Sequence, residues 1–184
     1  YRHAGYNVIA WNYIGDWGTQ FGKLAVAHQK WGGKKTIKDH TLDDLLALYV
    51  KFHEEVKNDE TLDDQGREAF RKLEQGDAKL RAFWEDVVAV TKASLADLYT
   101  RLQVSFDLEL GESFYEDKMD AVLTDGKKKK VFTEGEGGSL IVQFPEEKNM
   151  PPYLVLKGDG ATLYSTRDLA QMRYRMETYK PQEI

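Results

Sequence analysis

The sequence predicts an α/β fold, and two observations carry that prediction. Strand-like segments rich in β-branched and aromatic residues lie near both ends of the 184-residue chain, at residues 7–14 and 154–156. Between them, residues 41–103 repeat apolar side chains at the spacing of amphipathic helices. Strands towards both ends with helices between them are typical of α/β architecture.

The composition narrows the class of protein. Hydrophobic residues make up 41% of the chain and aromatic residues 12%, which is enough for a packed core. No apolar run approaches the roughly 20 residues of a membrane span. The net charge of −5 means that a nucleic-acid partner would need a local basic patch. Cysteine is absent, which excludes disulfides, a thiol nucleophile and thiolate metal ligands.

The chain reads as a piece of a longer, cytoplasmic protein. It begins at Tyr1 without a methionine or a signal peptide, and it ends soon after the helix-breaking Pro181. We divide it into four segments by composition and pattern. They are a strand and loop (1–22), a mainly helical region (23–104), a strand, short helix and β-hairpin (105–150), and a strand, turn and helix (151–184).

The helical region shows recognisable starts and stops. A helix is predicted over 19–31, where Gly32 and Gly33 end it. Thr41 followed by Asp44 resembles a capping box, and Thr61 followed by Asp64 suggests a second one. A long helix is predicted over 77–104. Its apolar stripe consists of Leu80, Phe83, Trp84, Val87, Val88, Leu95, Leu98, Tyr99 and Leu102.

The remaining third alternates short elements. A strand is predicted at 106–110 and a short helix at 116–123. Hairpin arms are predicted at 131–133 and 140–144, joined by a glycine-rich turn. Further on, a strand at 162–164 should precede a helix at 166–179. The lysine run 127–130 could contact RNA phosphates, but we favour a solvated loop that protects an edge strand.

Several catalytic motifs are missing. The chain has no G-x-x-x-x-G-K-[ST] phosphate loop, no H-E-x-x-H and no G-x-S-x-G. The histidines have no ligand spacing, so we expect surface or helix-end residues and no metal site. They are His3, His28, His40 and His53.

The loop after the first strand is a candidate ligand site. In open α/β sheets, ligands bind outside the carboxyl ends of the strands. This loop leaves such an end and combines glycines with polar side chains. Its candidate residues are Asn12, Gly15, Asp16, Gly18 and Gln20. The alternative is an ordinary strand–helix turn capped by Asp16 or Thr19.

Two further positions offer carboxylates. Glu112 follows an apolar strand, and Asp168 lies near the start of a predicted helix, close to Tyr164. A pair of carboxylates can bind the planar fork of a guanidinium through charge-assisted hydrogen bonds. The alternatives are a solvated acid at Glu112 and a charge at Asp168 that favours the helix macrodipole. The residues alone leave this choice open.

Three motifs resemble those of arginyl-tRNA synthetases. Residues 11–22, W-N-Y-I-G-D-W-G-T-Q-F-G, closely resemble the N-x-x-G-D-x-G-T-Q signature of that family. Residues 158–168 are similar to its D-G-x-x-L-Y-x-T-R-D segment, and residues 106–113 to its F-D-x-x-x-G-E-S segment. The order and separation of the three also match.

The resemblance implies part of a class I Rossmann-type catalytic domain with a helical insertion and a small β-hairpin module. Segments 1–22 and 151–184 would hold its Rossmann strands. The parent enzyme would activate L-arginine with ATP, supplied with magnesium, and transfer it to tRNA(Arg). Glu112, Tyr164 and Asp168 would contact arginine, and the loop would line the active site. A monomer without a tightly bound cofactor is expected.

Departures from the family pattern limit what this chain can do. Residues 3–6, H-A-G-Y, lack the final histidine of the H-x-G-H signature and precede a strand, where we expect a helix end. The K-M-S-K-S loop is absent as well. We therefore place the ATP-binding signatures outside the chain and expect the isolated chain to be inactive. The alternatives are a standalone, non-catalytic arginine-binding module and an interaction domain that uses residues 41–103.

Overall fold

The structure, a computed structural model, describes residues 1–183. The chain divides into two compact units, Tyr1–Gly111 and Glu112–Ile184. None of the helices within the described residues is both long enough and apolar enough to cross a membrane.

The first unit is a helical layer with one short pair of strands. Its elements are a 3₁₀ turn (Arg2–Ala4), β1 (Trp11–Asn12), α1 (Thr19–Trp31), a 3₁₀ turn (Ile37–Asp39), α2 (Leu42–Glu55), α3 (Thr61–Glu74), α4 (Ala78–Leu102) and β2 (Leu108–Glu109). The first turn ends at Gly5 and precedes β1, which agrees with the helix end expected there.

The two strands of this unit are parallel. Trp11 pairs with Leu108 and Asn12 with Glu109, so both carboxyl ends lie at the same edge. Both strands are shorter than the predicted 7–14 and 106–110. Each has a single neighbour in the described part of the chain, and the ladder forms only where the two run side by side.

Helix packing around the start of α1 builds the core of the first unit. Its main buried cluster contains Trp17, Phe21, Leu24, Ile37, Leu45, Phe70, Leu73 and Val87. A second cluster contains Val26, Ala27, Phe52 and Leu62. The residues directly after β1 are therefore anchored in the centre of this unit.

Helices begin at both predicted starts, but only Thr41 forms the predicted capping box. The Asp44 amide donates to Thr41 Oγ1 at 3.1 Å, and the Thr41 amide donates back to Asp44 Oδ2 at 2.9 Å. Thr61 is instead the first residue of α3, and its amide and hydroxyl both donate to Asp59 Oδ1. The Thr61–Asp64 capping box was therefore wrong, because an earlier aspartate accepts those hydrogen bonds.

The stripe of α4 is buried over only part of its length. Asp77 caps this helix through the amides of Lys79 and Leu80 at 3.0 Å, as the predicted start required. Val87 is 4% exposed, whereas Leu98 is 45% and Leu102 is 61% exposed. The predicted apolar stripe is thus exposed at Leu98 and Leu102, because the main core cluster packs against the first half of α4.

The second unit combines two helices with an antiparallel sheet. Its elements are a 3₁₀ helix (Glu112–Lys118), α5 (Met119–Lys128), β3 (Thr133–Glu134), a 3₁₀ turn (Glu136–Gly138), β4 (Leu140–Val142), a 3₁₀ turn (Glu146–Lys148), β5 (Tyr153–Leu156) and α6 (Tyr164–Tyr179). The strand order is β3-β4-β5, which confirms the predicted hairpin.

Two expectations in this unit differ from the structure. The first half of the lysine run ends α5 instead of forming a loop, where positive charge favours the helix C-terminus. Beyond the bridge between Leu156 and Thr162, no strand forms at 162–164, because Tyr164 already begins α6. The predicted strand at 154–156 forms β5, which pairs antiparallel with β4, and its place in a Rossmann-type sheet stays a prediction.

Candidate functional site: two groups of residues

The loop after β1 is held by buried side chains. Asp16 is 6% exposed and Trp17 is 1% exposed, whereas Gly15 lies at the surface. The Trp17 ring meets Phe70 and Trp84 edge-on, with centroids 5.5 and 5.3 Å apart. Aromatic pairs in this arrangement favour a single geometry. The loop therefore has a fixed shape at the carboxyl end of β1.

Gly18 makes the turn from this loop into α1. Its φ of +143° is a conformation that L side chains rarely adopt, and a Cβ there would collide with the Gln20 side chain. Gln20 Nε2 donates to the Trp17 carbonyl at 3.1 Å. Gly18 is itself the N-cap of α1 and no side chain caps that end, so neither Asp16 nor Thr19 serves as the cap.

The buried Asp16 carboxylate lies against the backbone of Gly111. A Cβ on Gly111 would stand 2.5 Å from both carboxylate oxygens, which leaves room for glycine alone. The glycine of the G-E-S motif and the aspartate of the loop signature therefore form one packing contact. Glu112 follows Gly111 directly in the chain.

Sequence reasoning missed two contacts that α4 makes with the loop. The Trp84 indole Nε1 donates to the Asp16 carbonyl at 2.6 Å. Asn12 Nδ2 donates to Tyr99 Oη at 3.1 Å, and Tyr99 Oη lies 3.3 Å from Asn12 Oδ1. Both aromatic residues were counted in the apolar stripe of α4. The signal that could have found them is that Trp and Tyr also carry a hydrogen-bonding group.

In the second unit, Tyr164 and Asp168 stand four residues apart on α6 and so share a face of that helix. Tyr164 is 69% exposed. Burial raises the pKa of Tyr153, with smaller contributions from Asp168 and Tyr164, so the carboxylate and the two phenols are neighbours. Asp168 is the fifth residue of α6 rather than part of its first turn, which weakens its interpretation as a macrodipole charge.

The start of α6 is fastened to β5 by two buried hydroxyls. Ser165 Oγ donates to the Leu154 carbonyl at 2.6 Å, and Thr166 Oγ1 donates to the Val155 carbonyl at 2.5 Å. Thr166 Oγ1 also accepts from the Leu163 amide at 3.0 Å, which begins the helix earlier than predicted. Tyr164 and Asp168 are therefore presented on a rigid support.

Glu112 is connected to the same helix through Arg167. Arg167 is 7% exposed, and its Nη1 lies 3.8 Å from Glu112 Oε2. A buried guanidinium requires a compensating carboxylate. Arg167 had no role in the sequence interpretation, although it is part of the L-Y-x-T-R-D motif. The structure thus places all three predicted arginine contacts in one unit, and the five loop positions in the other.

The histidines differ in their surroundings. The rings of His28 and His40 meet edge-on at 5.2 Å, and the His40 side chain is 7% exposed at the end of the 3₁₀ turn Ile37–Asp39, which makes it a helix-end residue as expected. His3 and His53 are exposed. Within residues 1–183, no group of three or more His, Cys, Asp or Glu side chains is arranged to hold a metal ion.

Comparison with known proteins identifies the family. A family model described as "tRNA synthetases class I (R), catalytic domain" matches residues 1–184. The chain belongs to the class I arginyl-tRNA synthetase family. It is 45% identical to the arginine–tRNA ligase of Clostridium perfringens over 95% of its length, and 47% identical to that of Exiguobacterium sibiricum over 97%.

Solved arginyl-tRNA synthetases share the fold of this family member. The enzyme from Plasmodium falciparum superposes with a TM-score of 0.73 at 25% identity, over 94% of this chain and 28% of that one. The Thermus thermophilus arginyl-tRNA synthetase gives 0.69 at 23% identity, over 95% and 30%. The chain spans 31% of the length of the two curated relatives, so it corresponds to part of a catalytic domain.

Proposed function

We propose that this chain is the part of an arginine–tRNA ligase that recognises L-arginine. The parent protein activates arginine with ATP and transfers it to tRNA(Arg). The observation that carries this proposal is the arrangement on α6, where Tyr164 and Asp168 share a face and Arg167 connects Glu112 to the same helix. The family resemblance implies that Glu112, Tyr164 and Asp168 contact arginine.

The chemistry of these groups suits a guanidinium. A carboxylate accepts two parallel N–H bonds from its planar fork, whereas a lysine ammonium is a point charge that cannot match both. A site built to accept those hydrogen bonds rejects an analogue that cannot donate them, because its polar groups are then left unpaired. Glu112 and Asp168 would bind the guanidinium, and Tyr164 would cover it.

ATP enters this proposal as the second substrate of the parent protein. Magnesium would accompany ATP as part of that substrate. The loop of residues 12–20 would line the active site. A monomeric parent in the cytoplasm remains part of the proposal. A standalone arginine-binding module is not favoured, since the curated relatives are arginine–tRNA ligases.

The Asp168→Asn variant of the complete protein tests this assignment. Loss of a charged acceptor costs about 1.5–3 kcal/mol, so kcat/KM for arginine should fall about 10- to 150-fold. The KM for ATP should change little, because the lost contact is to the amino acid. Steady-state aminoacylation of tRNA(Arg), with arginine and ATP varied in turn, gives both values.

A matched control is Asp120→Asn, which removes an exposed carboxylate in the first turn of α5. We expect wild-type values for both substrates in this variant. Equal losses for arginine and ATP in Asp168→Asn would contradict the proposed contact.

A further inference from the structure

Helix α4 contacts the segment from the end of β1 to the start of α1 at two points. Trp84 Nε1 bonds to the Asp16 carbonyl at 2.6 Å, and Tyr99 Oη bonds to the side chain of Asn12 at 3.1 Å. Trp84 and Tyr99 lie 15 residues apart in α4, which is about 22 Å along the helix axis. Both contacts join residues that are distant in the chain, so neither arises from local turn geometry.

The contact at Asn12 holds its side-chain amide against the Tyr99 hydroxyl. Asn12 Nδ2 and Oδ1 lie 3.1 and 3.3 Å from the same phenol oxygen. A hydroxyl can accept one hydrogen bond and donate another, so either polar end of the amide finds a partner in Tyr99. An asparagine amide otherwise turns freely about its last torsion, which has a broad energy minimum.

Tyr99 is itself held in place. Its ring meets Phe106 edge-on at 5.0 Å, and Phe106 precedes β2, the strand that pairs with β1. A phenol has only two side-chain torsions, so little freedom remains once its ring is packed. The partner of Asn12 is thus fixed relative to the strand that carries Asn12.

The contact at Asp16 fixes the other half of the loop. The Trp84 ring packs edge-on against the buried Trp17 at 5.3 Å, and the guanidinium carbon of Arg81 lies 5.9 Å from the Trp84 ring centroid. The indole N–H is therefore directed at the loop backbone by packing on two sides. Nothing in the sequence motif itself supplies these contacts, since the motif ends at Gly22.

We propose that Tyr99 and Trp84 are positioning residues through which α4 sets the shape of the active-site loop, and that Tyr99 acts by holding the Asn12 side chain in one position at the end of β1. This inference rests on the proposed function, because it requires the loop to line the arginine–tRNA ligase site. It gives the helical region a specific role in the reaction.

The Tyr99→Phe variant of the complete protein tests the inference, because it removes one oxygen and keeps the packed ring. Loss of a neutral hydrogen bond costs about 0.5–1.5 kcal/mol, so kcat/KM for arginine should fall about 2- to 12-fold. The apparent Tm should stay within about 2 °C of wild type. Tyr49→Phe is the matched control, since the Tyr49 ring packs on His53 in α2, and it should leave aminoacylation unchanged.

A double-mutant cycle with Asn12→Ala separates positioning from a general structural effect. If Tyr99 acts through Asn12, Tyr99→Phe should have no further effect on kcat/KM once Asn12 is alanine. Wild-type kcat/KM in Tyr99→Phe, or additive losses in the double variant, would overturn this inference alone. A wild-type protein that does not use arginine would overturn the proposed function, and the inference with it.

Discussion

At the scale of single residues, the motif at 163–168 places buried packing residues on one side of α6 and Tyr164 with Asp168 on another. Thr166 and Arg167 are buried, and they fasten α6 to β5 and to Glu112 respectively. Tyr164 and Asp168 share another face of the helix, and both are proposed arginine contacts. In that proposal one short sequence supplies both the support and the contacts.

A second residue-scale feature is the pair formed by His28 and His40. Burial lowers the pKa of His28 below its ordinary value of 6.5, and the nearby His40 lowers it further, while a hydrogen bond to the Lys35 backbone acts in the opposite direction. Below pH 6.5 the unfolded chain thus binds a proton that the folded chain resists. The contribution of His28 to the stability of the folded protein is therefore fully present above pH 6.5 and is lost as the pH falls below it.

We therefore expect a His28→Gln variant to lose less stability than wild type between pH 7 and about pH 5.5. Glutamine keeps a polar side chain but cannot take up the proton. Apparent Tm values of the complete protein across this range measure the effect, and His53→Gln is the control because His53 is exposed on α2. Identical pH slopes for wild type and His28→Gln would contradict this account.

At the scale of elements, α1 and α3 approach closely through Gly22 and Gly66. A Cβ on Gly22 would collide with the Gly66 carbonyl and stand 2.5 Å from the Phe70 amide nitrogen. Both are backbone atoms of α3, so relief requires the two helices to move apart. The glycine that ends the loop signature therefore sets the distance between these helices.

A Gly22→Ala variant should destabilise the protein by about 1–3 kcal/mol, despite the better helix propensity of alanine. Its apparent Tm should fall by several degrees, as measured by thermal unfolding of the complete protein. Gly15→Ala is the comparison, because a Cβ at Gly15 meets nothing within 4 Å. A Gly22→Ala protein as stable as wild type would show that the helices can separate without cost.

Elements with local signals were predicted well from the sequence. The bounds of α1 match the predicted 19–31, because glycines flank both ends. The capping box at Thr41 is also confirmed, because both of its residues, Thr41 and Asp44, lie within one turn of the chain. Strand lengths were overestimated, because pairing depends on a neighbour that the local sequence does not specify. The early start of α6 depends on Thr166, which also bonds to the distant β5.

The site was predictable in part. The residues of the loop and of the two acidic motifs were identified from the sequence. The family resemblance then favoured an arginine site over an ordinary turn and solvated acids. Tyr99, Trp84 and Arg167 were not, because their roles depend on contacts between segments far apart in the chain. The apolar stripe of α4 accounts for the packing of Trp84 and Tyr99 but not for their hydrogen bonds to the loop segment.

At the scale of the whole molecule, two compact units divide the candidate site residues between them. The first unit carries the loop, shaped by α4, and the second carries Glu112, Tyr164 and Asp168. The chain spans 31% of its curated relatives, and neither ATP-binding signature of the class is present in its sequence. We therefore expect arginylation from the complete protein and none from residues 1–184 alone.

The most direct test of the central claim is a tRNA(Arg) aminoacylation assay on the complete protein, with arginine and lysine as competing amino acids. The 184-residue chain is assayed beside it. Our account predicts that the complete protein charges tRNA(Arg) with arginine in strong preference to lysine, and that the isolated chain charges neither. A complete protein that fails to use arginine, or an isolated chain that charges tRNA(Arg), would contradict it.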